Sequence, residues 1–331
     1  MNNIKTWLGI LITIALLYVI FKKADFAQIV NSLKGAKYYY LFPSIVSLII
    51  SFYIRAIRWS YLLRPIKNIT TKTLFPMMMI GFMANDILPA RIGEFVRAYI
   101  IGKKENISKS TSFATIVIER LFDIFTLLLL MLVLFVFWGS CFPYWIRKSG
   151  VVVMVFTLVC LLILFSMKAY LSFFIKLFHK FFFFISSNIR EKIAIRLQHF
   201  TFGLSVFKSF KLILVSFFYS LLVWLFIAAS VYFALLIFDF NIPIYAPLFV
   251  TIILAIGLMV PSAPGFIGTF QFACISSLSL FSVDENAALS FSIILHAAQF
   301  FPVILIGYLF MLKEQMSFSA ISKMSNNGSP E

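Results

Sequence analysis

"NDILPARIGEFVRA", residues 85–98, decides how the chain is read. It follows the apolar run "LFPMMMIGFMA" (74–84) and sets Asp86, Arg91, Glu94 and Arg97 around a helix-breaking Pro89 and a permissive Gly93. A surface loop would account for the charges alone, but part of the pattern returns later in the chain. "PARIGEF" at 89–95 and "PGFIGTF" at 264–270 share Pro, Ile, Gly and Phe at an offset of 175 residues. The same shift carries the apolar stretch 38–57 onto 213–232 and 112–137 onto 287–312.

The chain around this repeat is apolar. Of 331 residues, 62% are hydrophobic and only 12% charged, with 42 phenylalanines, whereas a soluble domain carries about a quarter charged residues. Stretches long enough to cross a bilayer, which takes about 20 residues per helix, fall at 5–21, 38–57, 112–137, 150–167, 212–237 and 287–312. Two further apolar regions, 74–102 and 247–280, are interrupted by Pro, Gly and polar residues. The expected fold is an all-α polytopic membrane protein with about six full spans and two broken-helix hairpins.

The N-terminal stretch has Lys5 and an apolar centre but no small-residue cleavage motif, so a retained anchor is expected. Cys141, Cys160 and Cys274 have neither metal-ligand nor disulfide-framework spacing and read as packing residues.

Basic residues orient the chain. With the N-terminus inside, Lys5, Arg55, Arg58, Arg64, Lys67, Lys72, Arg91, Arg97, Lys103, Lys104, Lys109 and the basic segment 168–211 fall on or near the cytoplasmic side, as do Lys313 and Lys323. The opposite side receives Lys22, Lys23, Lys34, Lys37, Arg147 and Lys148, while "FDFNIPIYA" and "FSVDENAA" carry no Lys or Arg. Both termini are then cytoplasmic, and the halves at about 38–137 and 213–312 run in opposite directions, as in the inverted repeats of transporters. Each broken region becomes a re-entrant hairpin, and the two would meet near the midplane. Irregular backbone survives there only if it is buried in protein or lines a wet cavity.

Pro89 and Gly93 would open a helix whose N-terminal amides and dipole favour an anion. Arg91 and Arg97 add charge there, with Glu94 placed at i−3 to pair with Arg97. Arg55 and Arg58 share a face near the end of their span. Such arginines either snorkel to lipid phosphates or face the protein, and Arg58, beside the interfacial-type Trp59, is the better candidate for the hairpin. Glu119, Arg120 and Asp123 lie about two turns inside a span. Charges at that depth must be paired or wet, either as a structural ion-pair cluster with Arg91 or Arg58 or as part of a site.

The second half has lost its charges. Pro261, Pro264, Gly265 and Gly268 make its break, Thr269 and Gln271 stand near the positions of Glu94 and Val96 in the first, and His296 and Gln299 lie one turn apart in the span equivalent to that of Glu119. His296 is either a helix–helix hydrogen-bonding residue or a proton carrier. The path would be lined by Arg55, Asn85, Pro89 and Gly93 together with these second-half residues. The segment 168–211 mixes Phe, Leu and Ile with Lys and Arg as an interfacial amphipathic helix does, and residues 314–331 form a polar tail. No nucleophile–base pair, zinc spacing, P-loop or dinucleotide fingerprint is present. Neither cofactor, metal nor nucleic acid is expected.

The ordered set "RAIRWSYLL", "NDILPARIGEFVRA", "ERLFD" and "PSAPGFIGTF" resembles the lysylphosphatidylglycerol synthase transmembrane (flippase-like) family over nearly the whole chain. The resemblance implies a single membrane domain, 1–313, of the kind that moves aminoacylated phosphatidylglycerol between leaflets, here without the soluble aminoacyl-transferase domain. It leads us to expect a flippase of a phosphate-bearing lipid in the cytoplasmic (inner) membrane. Arg58, Arg91 and Arg97 would hold the phosphate, and Glu94, Glu119, Arg120 and Asp123 would position them. The partners implied are an anionic lipid or lipid-linked intermediate and the synthase or glycosyltransferase supplying it; a homo-oligomer stays open. The alternatives are a membrane transferase acting on a lipid-linked substrate, with Glu94 or Asp123 as base, and a non-transporting subunit that anchors a synthase or glycosyltransferase.

The charge distribution and the repeat together place Asn68 and Asn106 inside and Asp239 and Asp284 outside. Single cysteines at these positions in a cysteine-free background should be labelled by an impermeant thiol reagent in two opposite-sided pairs. Labelling of 68 and 239 from one side would overturn the topology.

Overall fold

The computed structural model describes residues 3–22, 24–88, 92–139, 209–260 and 262–317, with isolated positions between 144 and 162. The helices are α1 (Asn3–Lys22), α2 (Phe26–Lys34), α3 (Leu41–Leu63), α4 (Thr71–Ile87), α5 (Gly93–Glu105) and α6 (Lys109–Trp138), then α7 (Phe210–Ile237), α8 (Ala246–Gly257), α9 (Thr269–Leu278) and α10 (Glu285–Lys313). There is no strand among the described residues. Pro89, Arg91, Cys141, Cys160, the amphipathic segment up to residue 208 and the tail from residue 318 lie outside the described residues, as does nearly all of the expected span 150–167.

Tyr38–Leu63, Lys109–Trp138, Phe210–Ile237, Pro264–Phe281 and Glu285–Lys313 are long and apolar enough to cross a membrane. The chain is an all-α polytopic membrane protein. Pro264–Phe281, expected as half of a broken region, meets the length for a span only by joining short 3-10 turns at both ends to the ten residues of α9.

The helices repeat in order at the offset seen in the sequence. Shifting Thr71 of α4 by 175 gives 246, where α8 begins, and shifting Lys109–Trp138 of α6 gives 284–313, against Glu285–Lys313 for α10. Gly93, the first residue of α5, maps onto Gly268, the residue before α9. In both halves a long helix is followed by two shorter ones separated by a break, and then by another long helix.

Two compact units are present. The first holds Met1–Ile54, Met79–Gly93 and Leu222–Ser322. Its core is made by Val231 and Leu235 of α7, Val250 and Leu254 of α8, Phe270 and Cys274 of α9, and Phe291 and Leu295 of α10, all buried. Cys274 is thus a packing thiol, as expected. Gly307 lets α10 approach α4 closely, because a Cβ there would lie 2.5 Å from that of Met83 and 2.8 Å from the Met79 carbonyl oxygen. At one end Lys37 pairs with Asp239 at 2.8 Å. The Asn286 side chain accepts from the Asp25 N–H and donates to Gln28. The Asp239 carboxylate, hydrogen-bonded to the Lys37 ammonium, raises its pKa above the ordinary lysine value. Segments expected on one side of the membrane therefore meet at one end of this unit.

The second unit holds Arg55–Met78 and Glu94–Leu221. Trp59, Leu62, Leu63, Leu74 and Met77 are fully enclosed in it. Lys67, in the turn after α3, and Glu105, at the end of α5, lie in segments also expected to share a side and pair at 2.9 Å.

Overpacking a close helix crossing costs about 1–3 kcal/mol. Gly307→Ala should therefore lower the thermal midpoint in detergent, whereas Gly139→Ala, with nothing within 4 Å of the added carbon, should leave it unchanged. Equal midpoints for the two would show that the α4–α10 crossing is not tight.

Candidate functional site

Glu119 and Asp123 stand at i and i+4 on α6, so one helix face carries both carboxylates. That helix runs through "TLLLLMLVLFVFW", and the two side chains are 0% and 5% exposed. An unpaired carboxylate so enclosed is costly, and arginines from three helices neutralise them. Arg58 of α3 donates from Nη1 to Asp123 Oδ1 at 2.6 Å and to Ser220 Oγ of α7 at 2.6 Å. Its Nη2 lies 3.3 Å from Glu119 Oε1. Arg55, one turn earlier on α3, donates to the other Asp123 oxygen at 3.0 Å. Arg97 of α5 makes a two-pronged pair with Glu119 at 2.9 and 3.3 Å.

Arg97 also stacks 4.3 Å over the ring of Trp59, whose indole N–H donates to Thr115 Oγ1 at 3.0 Å. The flat guanidinium is gripped on an edge by a carboxylate and on a face by an aromatic ring, two contacts that lysine could not make together.

Arg120 sits at the margin, with a side chain 37% exposed. It lies 3.4 Å from Glu119, 3.6 Å from Asp123 and 4.0 Å from Glu94. Most of these distances exceed those of the buried pairs, and the attraction to each carboxylate is correspondingly weaker. Among the described residues of this cluster, four guanidiniums, those of Arg55, Arg58, Arg97 and Arg120, meet three carboxylates, those of Glu94, Glu119 and Asp123.

Three expectations are corrected. Glu94 does not pair with Arg97, because Glu119 offers that guanidinium both of its oxygens at once from α6. Trp59 is not an interfacial anchor: its ring is buried beneath Arg97. Arg55 does not snorkel, since it is 5% exposed and bonded to Asp123.

The two breaks belong to the first unit. Asn85 near the end of α4 accepts the N–H of Gly93 at 2.7 Å and so caps α5. A side chain at Gly93 would run into the Gly81 carbonyl oxygen. The amide expected to greet an anion is therefore already satisfied by the chain itself. In the second break Gly265 and Gly268 have φ of 74° and 86°, a region open to glycine. The Gly268 N–H donates to Gln271 Oε1 at 2.8 Å, and Thr269 Oγ1 donates to the Phe266 carbonyl at 2.9 Å. Pro264 is exposed at the start of its turn and Gln299 is half-buried. Gln271 also bonds His296 at 3.0 Å. A Cβ on Gly265 would lie 3.2 Å from the Phe300 ring and 3.7 Å from the Asp86 carbonyl oxygen, so the end of α4 lies against the second break.

The sequence reading missed Thr13 and Ser220. Thr13 of α1 accepts the Ala263 N–H at 3.0 Å and donates to the Ile267 carbonyl at 3.3 Å, clamping the second break from a helix outside the repeat. Nothing local marks it, since its partners lie about 250 residues away. Ser220 had a signal: Ser216 and Ser220, spaced i and i+4 in the very apolar α7, form a small polar stripe.

A family model described as lysylphosphatidylglycerol synthase TM region matches residues 6–307. A UPF0104 membrane protein of Methanocaldococcus jannaschii is 26% identical over 231 residues, covering 67% of this chain and 90% of that protein. Another UPF0104 membrane protein, from Methanothermobacter thermautotrophicus, is 31% identical over 106 residues, or 31% of each chain. Glycosyltransferase AglD of Haloferax volcanii is 28% identical over 124 residues, covering 36% of this chain and 19% of that enzyme. No solved structure matches. The chain is a multi-pass membrane protein that belongs to the lysylphosphatidylglycerol synthase TM region family, with a role tied to membrane lipid.

Proposed function

We propose that the protein moves a phosphate-bearing lipid between the leaflets of the cytoplasmic membrane, with both termini inside and the two halves inverted. The lipid is a phospholipid, an aminoacylated phosphatidylglycerol or a polyprenyl-phosphate-linked molecule. The observation that carries this reading is the charge excess around α6, where four guanidiniums meet three carboxylates among the described residues. Positive charge at the margin of a buried ion-pair cluster, facing carboxylates 3.4–4.0 Å away, suits an incoming anion. A lipid phosphate is the anion that a membrane supplies. Arg58 supports it further: Nε of this fully enclosed side chain has no hydrogen-bond acceptor, and its Nη2 meets Glu119 at 3.3 Å without a well-formed bond.

In this reading Arg120 is the exchanging group. It trades its distant carboxylates for phosphate oxygens, while Arg58 and Arg97 stay on Glu119 and Asp123 and hold the frame. The sequence pattern adds Arg91 as a further phosphate-binding charge and Gly93 and Gly268 as path-lining positions.

The segment shared with the glycosyltransferase favours one other reading, in which the chain is the membrane component serving a synthase or transferase that acts on lipid-linked substrates. Leaflet exchange by pure protein in proteoliposomes supports the first reading. Turnover of labelled lipid in detergent only with an added transferase supports the second.

Charge-assisted bonds are worth about 1.5–3 kcal/mol, or roughly tenfold to a hundredfold in affinity. Arg120→Gln should slow exchange of an anionic lipid by that order, with insertion and monodispersity kept and a zwitterionic lipid less affected. Arg91→Lys should keep part of the rate and Arg91→Gln very little. Arg58→Gln differs in kind, because it strands two enclosed carboxylates at about 3–5 kcal/mol and should lower the yield of folded protein. Wild-type exchange by Arg120→Gln and Arg91→Gln would remove both from the site.

A further inference from the structure

Gln271 is placed where one amide must serve two neighbours. The Gly268 N–H can only donate, so the oxygen of Gln271, 2.8 Å away, must face it. That fixes the amide orientation and leaves Nε2, a donor, 3.0 Å from His296 Nδ1. His296 Nδ1 is therefore the acceptor, and the neutral ring carries its proton on Nε2. Phe270 stacks on the ring at 4.5 Å and Phe300 meets it edge-on at 5.6 Å. The ring also meets the Gly265 backbone. α9 presents Phe270 and Gln271 to His296 and α10 presents Phe300. On α4 the ionisable residue that reaches this place is Asp86, whose backbone carbonyl lies against Gly265.

We propose that His296 is a proton-binding site whose occupancy is read by Gln271 as a choice between bonding the histidine and capping the second break at Gly268. When a proton binds at Nδ1, both ring nitrogens become donors and Gln271 Nε2 no longer has an acceptor. Gln271 can meet the new N–H only by turning its oxygen toward the ring. The Gly268 N–H then faces an amide nitrogen and loses its partner. That N–H sits at the start of α9, beside backbone with positive φ, where a freed donor points into the break. Protonation thus opens the cap of α9, and an acceptor arriving at Gly268 favours the protonated ring. No bond is made or broken except the N–H at Nδ1, and the proton comes from water. The link to lipid movement rests on the function proposed above, whereas the switch is a property of the protein without substrate.

The test uses the full chain in nanodiscs with the other two histidines replaced, as His179→Asn and His199→Asn. The His296 ring titration is followed by nitrogen-15 resonances, and protection of the Gly268 amide by hydrogen exchange corrected for intrinsic rates. Protection should fall on the order of tenfold, the worth of one lost hydrogen bond, across the pH range in which His296 titrates. His296→Gln should show no step. Gln271→Glu, whose two oxygens can accept from Gly268 and from the imidazolium at once, should raise the His296 titration and also abolish the step. If His296→Gln fails to insert, Gln271→Glu alone decides. A Gly268 amide indifferent to His296 protonation, a step surviving in His296→Gln, or a His296 titration unmoved in Gln271→Glu overturns the switch. If the step is present but leaflet exchange in proteoliposomes is absent, the proton site stands and the transport reading falls.

Discussion

Two carboxylates on the inner face of a 30-residue apolar helix impose the constraint that organises the second unit. Glu119 and Asp123 cannot stay charged in such surroundings without partners, and removing one partner from an enclosed pair costs about 3–5 kcal/mol. Arginines therefore come from α3, α5 and α6, and the positions of those residues bind the helices to one another. Arg58 does so most directly, since a single side chain reaches Asp123, Glu119 and Ser220. A cluster of this kind is weak support for stability, because apolar residues of the same volume could often replace it without loss. On the transport reading proposed above, its retention is provision for an anion and not a brace.

The two halves solve a shared backbone problem in related ways. A helix that begins inside the protein leaves N–H groups without partners. At the repeat-related glycines, a carboxamide takes the first of them: Asn85 for Gly93 at 2.7 Å and Gln271 for Gly268 at 2.8 Å. One acceptor precedes its glycine in the chain and the other follows it, so the sequence match does not align them. Their similar role follows from the need to satisfy an amide at the same kind of break.

Much of this was legible because it follows from pattern. Apolar length located the long helices, the Pro/Gly echo located both breaks, and the depth of Glu119 and Asp123 in their helix required enclosed partners. The partners themselves were less legible. Glu94 stands closer in sequence to Arg97 than Glu119 does, and a helical i, i+3 pair is worth only about 0.2–0.5 kcal/mol, too little to compete with a buried bidentate carboxylate. Trp59 read as an interfacial anchor because tryptophan is common at the membrane surface. The stacked Arg97 and the Thr115 hydroxyl satisfy it inside, and both come from other helices. Thr13 could not be found at all from local sequence, since its hydroxyl acts on backbone far along the chain.

The contrast in chemistry between the halves also sets where rearrangement is cheap. Around α6, movement that separates Arg97 from Glu119 or Arg58 from Asp123 uncovers charge in a poor dielectric and costs several kcal/mol for each pair. Around the second break, turning the Gln271 amide toward a protonated His296 gives up the neutral Gly268 bond, with a net worth of about 1 kcal/mol. Gly265 and Gly268 hold their positive φ without side-chain strain. The charged half can therefore hold a fixed geometry for an anion, and the neutral half can change its bonding at small cost. On the transport reading both properties are used, and a sequence that had repeated the charges of α6 in α10 would have surrendered the second.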